Sequence, residues 1–186
     1  MPIFSEENAF MMKNWDNVKE ILDADKRLRK QLTEFLLSLE VDLKKATWWQ
    51  DKWIFGRMSD SEVFISKSKW KVTDDQYAIC IGIESFIPEN LFGNESAATL
   101  YVWGQKNQSQ LVEKLREKFK TEIEVDSGEL DDKGRGTYVI KRSLNQCLPE
   151  EIDNFEDFMR KQIINHFSQY AHITNKYNRL ILSNIK

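Results

Sequence analysis

Five tryptophans, Trp48, Trp49, Trp53, Trp70 and Trp103, lie between positions 48 and 103, in a stretch that reads as consecutive β-strands. Rings of this size on strands build a core between a sheet and its helices, or they form a face that grips something flat. The same aromatic load argues against disorder, because disordered chains lack the apolar bulk that offsets ordering entropy.

At 186 residues the chain is expected to form a single domain with a proper core. Charged residues make up 31% and hydrophobic ones 41%, inside the ordinary globular range. A net charge of -3 is too mild to imply a nucleic-acid or membrane partner from bulk electrostatics. Cys80 lies in an apolar strand pattern, Cys147 is the other cysteine, and two unpatterned cysteines suit a reducing compartment. The N-terminus shows no signal-peptide pattern, and no apolar run reaches spanning length. A cytoplasmic protein with no membrane contact is the expectation.

Residues 5–46 read as helical. Ser5 is the N-cap with Glu6 and Glu7 in the first turn, and Leu28, Leu32, Phe35, Leu36, Leu39 and Leu43 form an amphipathic stripe. A connection near Asp23-Ala24-Asp25 would divide a short helix from a longer one. Strands are then expected over 52–58 and 63–72, joined through Ser59-Asp60-Ser61-Glu62, and again over 77–86 and 97–103, with a loop at Pro88 and Leu91–Asn94. A helix over 108–119 follows, then short strands at 122–125 and 137–142 around a turn-rich tract. The last element is a long helix from Pro149, with Ile152, Phe155, Met159, Ile163, Phe167, Tyr170, Ile173 and Tyr177 on one face and a break near 172–175. The fold class is α+β: an antiparallel sheet of four to five strands, flanked by an N-terminal helical segment and a long C-terminal helix.

Pairing the 52–58 and 63–72 strands across a four-residue link sets Met58 opposite Val63. Trp53 and Trp70 then share one face, and Lys67, Lys69 and Lys71 point to the other. Residues 52–71 hold Lys52, Arg57, Lys67, Lys69 and Lys71 against Asp60 and Glu62, so the hairpin is locally positive. Those lysines could contact phosphates while Trp48 and Trp49 stack on bases. More commonly, strand tryptophan is core and edge-strand lysine guards against aggregation. Asp131-Asp132-Lys133 matches a nuclease acid-x-Lys triplet as a string, but it lies in a glycine-flanked turn. Gly128–Gly136 lacks the Gly-Lys-Ser/Thr ending of a phosphate loop. His166 and His172 are six apart, off the spacing that puts two metal ligands on one helix face, and His166 beside Phe167 suits packing or a helix surface. No catalytic constellation emerges, and no metal or cofactor is expected.

The order of Trp48-Trp49, Trp53-Ile54-Phe55-Gly56, Ser68-Lys69-Trp70, Ile81-Gly82-Ile83-Glu84, Leu100-Tyr101-Val102-Trp103-Gly104 and a closing long helix is similar to the C-terminal accessory regions of bacterial PD-(D/E)XK-type nucleases of defence and mobile-element systems. The resemblance covers roughly residues 25–180. It implies an accessory module of prokaryotic or phage biology, and it carries no nuclease activity across because a strand-borne acid-x-Lys core is missing.

The sequence therefore points to a non-enzymatic interaction module that self-associates or docks to a larger assembly. An overhanging apolar end at Tyr170, Ile173 and Tyr177 would serve as the contact with a protein partner or a second copy. The competing reading is a nucleic-acid-binding domain using Lys52, Lys67, Lys69, Lys71, Trp48 and Trp49.

Overall fold

The computed structural model describes residues 5–74, 76–93, 97–105, 108–122, 137–144 and 154–185. Helix α1 (Glu6–Lys13) opens with Ser5 as N-cap, its Oγ accepting the Asn8 N–H at 3.2 Å. The break expected near Asp23–Asp25 comes instead at Asn14. There the side-chain amide donates to the Phe10 carbonyl and competes with helical propagation. Helix α2 (Trp15–Lys45) then runs unbroken for 31 residues. The aspartates at the expected break are tolerated because each meets a cation one turn on, Asp23 with Lys26 and Asp25 with Arg29.

A 3-10 turn (Thr47–Asp51) leads into β1 (Trp53–Ser59), followed by β2 (Glu62–Lys67), a second 3-10 turn (Ser68–Trp70), β3 (Lys71–Thr73), β4 (Gln76–Tyr77) and β5 (Ile79–Glu84). The expected loop at Pro88 is a short helix, α3 (Pro88–Phe92), with proline at its tolerant first turn. Next come β6 (Thr99–Gly104), α4 (Ser109–Glu122) and β7 (Thr137–Ser143). The chain closes with α5 (Phe155–Lys176) and α6 (Asn178–Asn184). Five strands form one antiparallel sheet in the order β1-β2-β5-β6-β7, and β3-β4 make a separate ribbon. The fold is the α+β arrangement expected. Of the strand expected at 122–125, Glu122 is instead the last residue of α4, and 123–125 lie outside the described residues, as do the tract holding Asp131-Asp132-Lys133 and Gly128–Gly136, Cys147 and the helix start at Pro149.

Period-2 alternation gives the sheet two different faces. Val63, Ile65, Ile79, Ile81, Ile83, Leu100, Val102 and Ile140 join one buried cluster with Leu32, Leu36, Leu39 and Leu43 of α2, Leu111, Leu115 and Phe119 of α4, and Met159, Ile163 and Phe167 of α5. Each such side chain contributes roughly 1.5–3 kcal/mol by leaving water. The opposite face carries a smaller cluster of Phe64, Cys80 and Tyr101, with Tyr77, Trp103 and Tyr138 packed against it. Across it runs the row Gly56–Phe64–Gly82–Tyr101–Lys141. The glycines are required here: the Phe64 ring lies over Gly56, and a Cβ at Gly82 would meet the Tyr101 ring and sit 2.8 Å from the Val63 carbonyl.

Two further expectations about the helices and strands are overturned. First, the β1–β2 hairpin turns through Asp60-Ser61, with a bulge between Arg57 and Ser59, so Trp53 pairs with Lys67 and Arg57 with Val63. A one-residue slip in register exchanges the faces of β1, so Trp53 joins Val63, Ile65 and Lys67 on the side towards the helices. Second, the final helix breaks at Tyr177, later than residues 172–175. Thr174 is buried and its hydroxyl bonds back to the Tyr170 and Ala171 carbonyls, so it stays helical. Tyr170 and Ile173 are buried in this chain's own core, and Tyr177 is half-buried against Phe119. The overhanging C-terminal end does not exist.

Candidate functional site

The tryptophans form a ladder rather than a gripping face. Trp49 meets Trp48 at 5.6 Å between ring centroids, Trp48 meets Trp53 edge-on at 5.5 Å, and Trp53 meets Trp70 edge-on at 5.4 Å. Edge-to-face contacts place the positive ring edge on the neighbouring π-face. Trp53 and Trp70 are buried, while Trp48 and Trp49 are half-buried and packed on the core. The Trp48 indole N–H donates to Ser168 Oγ of α5 at 3.2 Å, which ties the 3-10 turn to the last layer. Base stacking by Trp48 and Trp49 therefore lacks two open ring faces to work with.

The lysines part company. Lys67 is only 6% exposed: its ammonium lies 5.2 Å from the Trp53 ring and 5.8 Å from the Trp70 ring, and it donates to Asn175 Oδ1. Desolvated cation–π contacts of this kind stabilise by about 2 kcal/mol. Its expected place on a solvent face is overturned, because it alternates in phase with Val63 and Ile65, and that face of β2 packs on the helices. Lys71 turns away and pairs with Asp74 at 3.3 Å. Lys52 and Lys69 are exposed and line, together with Lys67, Gln50, Asn175 and Asn178, a cleft of about 340 Å³. Asn178 Oδ1 accepts the Trp70 indole N–H at 2.8 Å. Sequence reasoning missed Gln50, Asn175 and Asn178; asparagines clustered where the last helix breaks were the available signal.

The titratable groups elsewhere are quiet. Burial raises the Cys80 thiol well above its usual range, leaving it a small apolar filler. Burial likewise lowers His166 to about 3, so its ring is neutral; Nε2 lies 3.3 Å from the Tyr101 carbonyl, and the packing role read from sequence holds. On the open sheet face Tyr101 donates to Glu62 at 2.9 Å and Tyr138 to Glu84 at 2.7 Å. Among the described residues no group of His, Cys, Asp and Glu is placed to hold a metal ion, and no helix is long and apolar enough to cross a membrane.

The largest departure from ordinary surface chemistry is at the N-terminus. Phe10, Met11, Met12, Trp15, Ile21 and Leu22 are between 41% and 68% exposed, and nothing before Leu32 is buried in either α1 or α2. Just beyond this arm, Leu28, Leu32 and Phe35 of α2 and Phe155 of α5 line an open groove of about 500 Å³, rimmed by Glu34, Glu156 and Arg160. The signal was present in the sequence: the apolar residues at 10–22 fall outside the stripe that begins at Leu28.

No family model matches this chain, and neither a curated protein nor a solved structure resembles it significantly.

Proposed function

We propose that this chain is an interaction module that self-associates, the arm of one copy lying in the α2–α5 groove of another. The observation that carries the reading is the coexistence of an exposed apolar arm and an apolar groove on one chain. Such self-complementarity is what a two-fold interface requires. Exposed patches of this kind mark interaction sites in folded proteins. Sedimentation of the full chain across the micromolar range tests it. A concentration-dependent dimer that Ile21→Glu and Trp15→Glu abolish is expected, whereas a monomer at every concentration overturns the proposal.

A further inference from the structure

Away from the arm, three lysines line one cleft. Lys52, Lys67 and Lys69 share it with Gln50, Asn175 and Asn178; Lys52 and Lys69 are exposed there, while the Lys67 ammonium is held by Asn175 and lies over the Trp53 and Trp70 rings.

The backbone is arranged to bring the cations together. Lys52 sits in the left-handed region, φ 64° and ψ 38°, which non-glycine residues rarely adopt. In extended conformation it would alternate with Trp53 and point to the open face of the sheet. The left-handed turn places it instead in the cleft that Lys67 lines from the helix side. One strand over, the 3-10 turn Ser68–Trp70 buries Trp70 completely while leaving Lys69 on the same cleft.

The amides are orientated by chemistry rather than by choice. An indole N–H and an ammonium can only donate. Asn178 therefore gives its Oδ1 to Trp70 and Asn175 its Oδ1 to Lys67. What Asn178 retains for a ligand is the Nδ2 donor. Cations and donors together select an anion rich in acceptor oxygens.

Size and layout narrow the anion further. A strand of nucleic acid needs cations spaced along a groove that follows its backbone. Here Lys71 is turned away to Asp74, and Lys52, Lys67 and Lys69 line a single small cleft. Several charges around one point suit a multiply charged oxyanion better than a chain of singly charged phosphodiesters. We infer that this cleft binds a phosphate monoester, carried either by a small phosphorylated molecule or by the end of an oligonucleotide.

The test is an NMR titration of the full chain, following the indole N–H resonances. Inorganic phosphate is expected to shift the Trp70 resonance saturably, because Asn178 links that indole to the cleft. Sodium chloride at matched ionic strength should leave it in place. Lys52→Met and Lys69→Met should each weaken phosphate binding roughly ten-fold. Both side chains are exposed, so the melting temperature should hardly move. Ribose 5-phosphate and a short oligonucleotide with a 5′-phosphate then separate the two sources by which binds more tightly. Equal binding of the same oligonucleotide with a 5′-hydroxyl, a shift reproduced by chloride, or unchanged affinity in both lysine variants would each overturn the inference.

Discussion

Two halves of one helix behave as if they belonged to different proteins. From Trp15 to Arg27, α2 has no buried residue and presents Trp15, Ile21 and Leu22 to water; from Leu32 to Leu43 it buries a leucine at nearly every turn. The backbone is the same regular helix throughout. Helical geometry alone therefore says nothing about what a segment is for. Most helical stability in proteins comes from packing an apolar face, so the exposed half is held by continuity with the packed half.

The sharpest test compares one residue from each half. Leu39 is fully buried, and Leu39→Ala should cost about 2–5 kcal/mol in urea denaturation. Ile21→Ala, at 68% exposure, should leave the unfolding midpoint of dilute protein within roughly 0.5 kcal/mol of the parent. A large loss at Ile21 in dilute solution would mean the arm packs on its own chain and would break the comparison. Acid should discriminate next. The folded state holds His166 neutral down to about pH 3, against 6.5 for the ordinary group. The unfolded chain therefore binds the extra proton first as pH falls. Stability from this site is complete above pH 6.5 and is lost below it, by up to about 1.4 kcal/mol per unit. His166→Gln should flatten that slope in a series of melts between pH 7 and 4. Confined to α1, Ser5→Ala removes its cap at about 1 kcal/mol of local helix stability. A slight drop in helical circular dichroism with an unchanged cooperative transition is the expected signature.

Much of the architecture could be read from local pattern. The leucine stripe of α2, the isoleucine-rich β5 and the cap at Ser5 are short-range signals, and all three elements stand where the periodicity put them. What escaped was set by single residues acting over distance. The β1–β2 register depends on a two-residue turn and one bulge, and that slip moved Trp53 to the other face from the one expected. Lys67 was placed in solvent because the face it shares with Val63 and Ile65 was read as the open one, whereas that face packs on the helices. The helix boundary at Asn14 rests on a side-chain amide finding a carbonyl, a competition that composition does not register. Of the lysines proposed as a site, Lys52, Lys67 and Lys69 line one cleft, but beside asparagines from the other end of the chain, which no local window contains.

The unbroken run of α2 also has a mechanical meaning. Thirteen residues at 1.5 Å each give the stretch from Trp15 to Arg27 a reach of about 20 Å. That stretch continues without a joint into leucines locked against the sheet, so it is a lever and not a tether. Whatever grips the tip also sets the heading of the whole domain, and a twist applied at Ile21 is delivered as torque at Leu39.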